Sequence, residues 1–216
     1  MAPRFLYLHG FASGPQSKKG VAFANHFHDV ERLDLRQPSF EHLRLSAMIE
    51  HVREALHPTD RAVVVGSSLG GLTAARVAER DPRIGALVLL APAFRIHERW
   101  RETLDVAAWQ RTGWHEIHDF TTGQPARIDY GFLEDLAATD AGTPDVQVPT
   151  LILHGAHDDV VPIEHSRAFA AGKPHVHLVE LADGHELVAS LPTLLARAAE
   201  FLAPWIGARF ANVSLP

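Results

Sequence analysis

The sequence predicts an α/β fold, a parallel sheet covered by helices on both faces. Three observations carry this. Short runs of Val, Leu and Ile alternate along the chain with stretches whose apolar residues recur at helical spacing. The short runs are also apolar at consecutive positions, as in Ala62-Val63-Val64-Val65 and Ile84-Gly85-Ala86-Leu87-Val88-Leu89-Leu90, so both faces of each strand are buried. Third, one junction between strand and helix reads Gly66-Ser67-Ser68-Leu69-Gly70, a spacing with its own chemistry.

Taken in order, Arg4 to Leu8 forms the first strand and ends in His9-Gly10-Phe11. Ala12 to Gly20 is a loop leading into a helix that runs to about His28. Val30 to Leu35 is the second strand, and Pro38-Ser39 marks a turn. Leu45, Met48, Val52 and Leu56 share one helical face, and Pro58 stops that helix. Arg61 to Val65 is the third strand, followed by a helix to about Arg80 and a turn at Asp81-Pro82. Ile84 to Ala91 is the fourth strand.

The rhythm then breaks. From Phe94 to Val146 no strand is expected, and the segment holds three of the chain's four tryptophans, Trp100, Trp109 and Trp114, with Phe120, Tyr130 and Phe132. It reads as a helical insertion over the sheet edge. Phe94 and the three tryptophans are candidates for a substrate pocket, or else the packing that holds the cap to the body. The rhythm resumes with strands at Thr150 to Leu153 and His175 to Leu181, a helix from Glu164 to Ala171, and a last helix carrying Leu191, Leu194, Leu195, Ala198 and Leu202 behind Ser190. Gly207 to Pro216 reads as a tail. The expected domains are therefore a core at 1–93 and 147–216 and a cap at 94–146.

Composition bounds the function. At 216 residues one domain with a substantial core is expected. A net charge of −6 argues against general nucleic-acid binding. The chain has no cysteine, so disulfides, thiolate zinc sites and a cysteine nucleophile are excluded. The N-terminal apolar run is too short for a signal peptide and no stretch approaches about 18 apolar residues. A cytoplasmic protein without a membrane span is expected. The oligomeric state is not legible.

Gly66-Ser67-Ser68-Leu69-Gly70 could be a flexible loop or a phosphate-cradling turn. Between a strand and a helix it reads as a nucleophile elbow, a sharp turn that exposes the serine hydroxyl at its tip. The turn brings backbone so close that a Cβ two residues to either side would clash, hence Gly66 and Gly70. Ser67 is flanked at the same offsets by Val65 and Leu69, which selects Ser68. A serine hydroxyl needs a base, usually a histidine oriented by a carboxylate. With this elbow the order is serine, acid, histidine, which Ser68, Asp158 and His185 supply after the third, fifth and sixth strands. All three would stand at carboxyl ends of strands, where open α/β sheets place their ligands.

Four signatures stand in order: His9-Gly10-Phe11, Gly66-Ser67-Ser68-Leu69-Gly70, Gly155-Ala156-His157-Asp158-Asp159-Val160-Val161-Pro162, and Asp183-Gly184-His185. Through them the chain resembles the α/β-hydrolase superfamily over nearly its whole length, as a minimal six-stranded member. The start Leu6-Tyr7-Leu8-His9-Gly10-Phe11, with Ser13, Pro15, Ser17 and Lys18, is similar to a branch of small bacterial cytosolic esterases. The resemblance implies a serine hydrolase that needs no cofactor and acts on a small acyl ester. Thioester, carbon–carbon bond or peptide hydrolysis on the same triad is the alternative, and a non-catalytic binding module is the reading from another class. It implies Asp158, three residues after Gly155, as the acid, and the backbone amides of Phe11 and Leu69 as oxyanion donors.

Other residues compete for these roles. Asp159 points away from its neighbour, Asp183 shapes a turn, and Asp34 is a loop or capping residue. His154, His157 and Asp158 could suggest a metal site but lack a third convergent ligand, so no metal is expected. His9 and His154 each precede a glycine at a strand end and are expected to support the site. Lys18 and Lys19 could meet a phosphate but read first as a solvated helix start.

Overall fold

A computed structural model describes residues 3–206, so the tail expected at 207–216 lies outside the described residues. The elements are β1 (Arg4–Leu8), α1 (Lys18–His26), β2 (Val30–Leu33), α2 (Leu45–Glu54), β3 (Ala62–Ser67), α3 (Leu69–Ala78), β4 (Ile84–Leu90), α4 (Ile96–Thr103), α5 (Val106–Thr112), β5 (Trp114–Asp119), β6 (Gln124–Asp129), α6 (Gly131–Thr139), β7 (Thr150–Gly155), α7 (Ile163–Ala170), β8 (Val176–Leu181) and α8 (Leu191–Ile206). Six strands form one parallel sheet in the order β2-β1-β3-β4-β7-β8.

The strand side chains alternate between two cores. Leu6, Leu8, Val64, Leu87, Leu89 and Ile152 face a layer containing Met48, Ile49 and Val52 of α2 and Leu72 and Ala75 of α3. Phe5, Tyr7, Val63, Val65, Val88 and Leu153 face Phe23 of α1 and Leu194, Ala198 and Leu202 of α8. Burial on both sides is why these strands carry no polar alternation.

Chain order places the functional end. From β1 the chain moves outward to β2, then returns past β1 to β3 and continues the other way. The direction of winding therefore reverses between β1 and β3, the position where a doubly wound sheet opens a crevice at its carboxyl edge. Register aligns the strand ends there: Leu8 pairs with Gly66, Ser67 with Leu90, Leu90 with Leu153, and Gly155 with Leu181.

The segment from 94 to 146 departs from the sequence expectation in one respect. It holds α4, α5 and α6, but also an antiparallel hairpin of β5 and β6, where no strand was expected. The hairpin escapes notice because Trp114-His115-Glu116-Ile117-His118-Asp119 and Gln124-Pro125-Ala126-Arg127-Ile128-Asp129 are polar at most positions and are buried only at Asp119 and Ile128. Trp109, Ile128, Phe132, Leu133 and Leu136 pack into the same core as α2 and α3. Charged pairs fasten the segment to the body. Arg44 donates to both oxygens of Asp129 (2.7 and 3.0 Å), Ser46 donates to Asp135 from its amide (3.0 Å), and buried Arg76 donates to Asp140 (2.8 Å).

Candidate active site

Ser68 sits between β3 and α3 with φ 52° and ψ −116°, outside the conformations an L-residue ordinarily adopts. The surrounding chain holds it there. Its amide donates to Leu90 O (2.9 Å), and its carbonyl accepts from the amides of Gly71, Leu72 and Ala93. The flanking glycines are required by space. A Cβ on Gly66 would lie 2.3 Å from Gly70 O, and one on Gly70 would lie 2.3 Å from Leu8 O. Ser67, the rival serine, is 4 % exposed and lies within the strand.

The three residues that follow β3, β7 and β8 converge. Ser68 Oγ lies 3.1 Å from His185 Nε2, and His185 Nδ1 lies 2.8 Å from Asp158 Oδ2. An ionised carboxylate only accepts, so Nδ1 carries the imidazole proton and Nε2 is left to accept from the serine hydroxyl. The Asp158 carboxylate is fully buried. Burial disfavours its charge. Against that, His154, His185 and the Val161 amide all donate to it and hold its pKa well below the usual carboxylate range. Its second oxygen accepts from the amides of Val160 (2.9 Å) and Val161 (2.7 Å).

His154 completes this environment. It is wholly buried at the end of β7. Its Nε2 lies 3.1 Å from Asp158 Oδ2 and 2.9 Å from Val161 O, and its Nδ1 lies 2.8 Å from Ser166 Oγ. Two acceptors at Nε2 put the proton there. The competing carboxylates are engaged elsewhere. Asp183 accepts from the amides of Gly184 (2.8 Å) and Ser190 (2.9 Å), which shapes the turn into α8, and Asp34 is clasped by Arg36. Among the described residues no three His, Asp or Glu side chains are placed to hold a metal ion.

The loop after β1 runs alongside Ser68. A Cβ on Gly10 would lie 3.3 Å from Ser68 Cβ. Among the described residues neither the Phe11 nor the Leu69 amide has an acceptor within the chain. Four of the six non-glycine residues with positive φ among the described residues, Ala12, Ser68, Ala91 and Leu187, lie in turns at this edge. Backbone strain of this kind collects at functional sites.

The aromatic candidates divide. Trp100 meets Phe11 edge-on at 5.1 Å, and Phe132 stacks behind Phe11 at 6.2 Å. Trp109 is 1 % exposed. Phe94 is buried and stacked on Phe169 at 4.4 Å. Trp114 is half-buried under the guanidinium of Arg127, 4.0 Å from its ring centre.

Lys19 corrects the expectation of a solvated helix start. It is buried, and its ammonium donates to Glu186 O at 2.8 Å, so α1 holds the residue next to His185. Burial lowers its pKa, although Glu186, Asp158 and Asp183 pull the other way. No local pattern announces this contact, because its partners are 167 positions apart in the chain.

Fold and site edge together define the chain as having the α/β-hydrolase fold. It belongs to the uncharacterised protein family UPF0227, whose model matches residues 4–203. No curated protein matches it in sequence. Among solved structures, alpha/beta hydrolase domain-containing protein 10 from mouse is similar at 21 % identity and TM-score 0.77, over 94 % of this chain and 91 % of that one. Est1E from Butyrivibrio proteoclasticus, solved with ferulic acid, is similar at 23 % identity and TM-score 0.76, over 95 % and 90 %. A hydrolase from Pseudomonas aeruginosa is similar at 22 % identity and TM-score 0.71, over 93 % and 90 %. No described helix is long and apolar enough to cross a membrane.

Proposed function

We propose that the protein is a serine hydrolase that cleaves carboxylic esters through an acyl-enzyme. The observation that carries this reading is the unbroken contact from Ser68 Oγ through His185 to Asp158, 3.1 and 2.8 Å, with Ser68 at a positive φ on the elbow.

In this reading Ser68 Oγ attacks the ester carbonyl carbon as its proton passes to His185 Nε2. The imidazolium so formed is steadied by Asp158, which remains ionised. The negative charge on the former carbonyl oxygen is met by the Phe11 and Leu69 amides. The amide of Leu69 opens α3, so the helix dipole adds to its effect. The tetrahedral intermediate collapses, and the leaving alcohol takes the proton from His185. Water then attacks the acyl carbon with His185 again as base, releasing the acid and Ser68. The segment at 94–146 serves as the cap, bringing Trp100 against the oxyanion loop where the acyl group would lie. The ferulic acid bound by Est1E agrees with an aromatic-walled acyl site, though the fold is all that is shared at this identity.

The test has two parts. A fluorophosphonate probe is expected to label Ser68 and no other serine, with mass spectrometry locating the adduct. A screen of esters and thioesters of increasing acyl length is expected to find turnover that the probe abolishes. Absence of labelling on folded protein would overturn the reading in favour of a binding module.

A further inference from the structure

His9 is 3 % exposed, and its ring is engaged at both nitrogens. The Leu35 amide lies 2.9 Å from Nε2 and can only donate, so Nε2 accepts and carries no proton. The ring proton is therefore on Nδ1, 2.9 Å from Gly10 O, to which it donates. Protonating the ring would cost the Leu35 bond and strand a buried amide. Burial also lowers the His9 pKa, outweighing the Gly10 carbonyl and Asp34, which act to raise it. Asp34 is itself clasped by Arg36 at 2.6 to 3.1 Å.

The Gly10 carbonyl belongs to the same planar unit as the Phe11 N–H. Among the described residues only Gln37–Pro38 is cis, so this unit is trans and its C=O and N–H point to opposite sides. Holding the Gly10 oxygen to the His9 ring turns the Phe11 N–H the other way. Gly10 itself packs against Ser68, since a Cβ added to it would lie 3.3 Å from Ser68 Cβ. Glycine alone would leave this peptide free to flip, because it tolerates both signs of φ. A flipped peptide would present a carbonyl oxygen, not a donor, to a developing oxyanion.

We infer that His9 is a positioning residue: its Nδ1–H fixes the Gly10–Phe11 peptide so that the Phe11 amide faces the oxyanion formed at Ser68. The inference rests on the ester-hydrolase reading. It assigns to His9 a role in the rate of the chemical step that a merely structural histidine would not have.

Two substitutions separate the two nitrogens. In His9→Asn the side-chain amide can occupy the place of Nδ1 and keep a donor for Gly10 O, while the Leu35 amide loses its acceptor. In His9→Gln the longer side chain can reach the place of Nε2 and keep the Leu35 bond, while the Gly10 oxygen is released. Loss of one oxyanion donor lowers kcat by about 10²- to 10³-fold, so His9→Gln is expected to lose about a hundredfold in kcat with KM within about threefold. Its melting temperature stays near wild type. His9→Asn is expected to recover at least about tenfold of that kcat loss while melting earlier. A His9→Gln enzyme with kcat within about threefold of wild type, or activities that merely follow the two melting temperatures, overturns the inference. If His9→Gln does not fold, His9→Asn decides alone: kcat within about tenfold of wild type supports the inference and a hundredfold loss overturns it. The underlying reading fails separately, by a Ser68 that takes no fluorophosphonate in the wild-type protein.

Discussion

His154 and His185 meet the same oxygen of Asp158, Nε2 of the first at 3.1 Å and Nδ1 of the second at 2.8 Å. The other carboxylate oxygen is filled by the Val160 and Val161 amides. Every group around this carboxylate donates, so it is built to stay ionised.

Asp158→Asn replaces one acceptor oxygen with a donor facing other donors and leaves the His185 tautomer unspecified. On the proposed mechanism kcat falls by about 10⁴-fold. Asp159→Asn removes only an exposed carboxyl group, since that residue meets Arg99 through its carbonyl, and is expected to cost little. Asp183→Asn disturbs the turn into α8 and is expected to lower stability more than rate. Steady-state kinetics on the three variants decide. An inactive but folded Asp183→Asn beside an active Asp158→Asn would name the wrong carboxylate.

Ser68→Ala is expected to remove turnover, by about 10⁴- to 10⁶-fold, with no loss of fold. Ser67→Ala, a change within β3, keeps the elbow and its hydroxyl and should keep most of the activity. Comparable rates for Ser68→Ala and wild type would show that Ser68 is not the nucleophile.

Much of this was legible because it rests on local rules. The elbow needs Gly66 and Gly70 at fixed offsets, and the structure places backbone 2.3 Å from where each Cβ would be. The strands buried on both faces announce themselves as unbroken apolar runs. What stayed hidden depends on distant partners. The β5–β6 hairpin is held by its own pairing and by Ile128 in the α2–α3 core, not by an apolar run of its own. Lys19 is buried where its ammonium meets Glu186 in the His185 loop. His9 stood out as a histidine before a glycine, but its tautomer is set by the Leu35 amide past the end of β2.

The same close approach predicts a steep contrast between glycines. Gly66→Ala would drive a Cβ into Gly70 O, Gly70 C and Gly71 Cα, at 2.3, 2.7 and 2.8 Å, all of them backbone that cannot rotate away. A loss of at least about 3 kcal/mol is expected, with activity gone. Gly142→Ala meets nothing within 4 Å and bears only its φ of 69°, a cost of about 1 to 2 kcal/mol. Urea unfolding of both measures the contrast, and equal midpoints would contradict it.

Asp81, away from the site, contributes to acid stability. The Arg83 guanidinium beside Asp81 lowers the Asp81 pKa from 3.8 to about 2, overcoming the opposing effect of burial, and the Arg83 amide assists. Because the folded pKa is depressed, the stabilisation is complete above about pH 4 and disappears as pH falls towards 2. Its full size is on the order of 2 kcal/mol. Asp81→Asn should therefore be less stable than wild type at pH 6, with the gap closing by pH 2. A gap that persists unchanged at pH 2 would assign it to packing, not to charge.

The tryptophans of the proposed cap are expected to separate into three behaviours. Trp100 is half-buried and lies edge-on to Phe11, beside the proposed oxyanion donor. Trp100→Ala opens volume where an acyl chain would run, and a filled or emptied methylene site is worth about 1 to 3 kcal/mol, so the ratio of kcat/KM between long and short acyl esters should shift by about tenfold or more. Trp109 is 1 % exposed and belongs to the core that joins the segment at 94–146 to α2 and α3. Its replacement by alanine should cost about 3 to 5 kcal/mol of stability and leave that ratio alone. Trp114 lies on the outer hairpin beneath Arg127, where truncation forfeits a cation–π contact of about 0.5 to 1 kcal/mol and no acyl contact. Measuring the chain-length ratio and the melting temperature together for all three variants sorts them. A ratio that shifts with Trp114→Ala and not with Trp100→Ala would move the acyl site to the outer face of the hairpin.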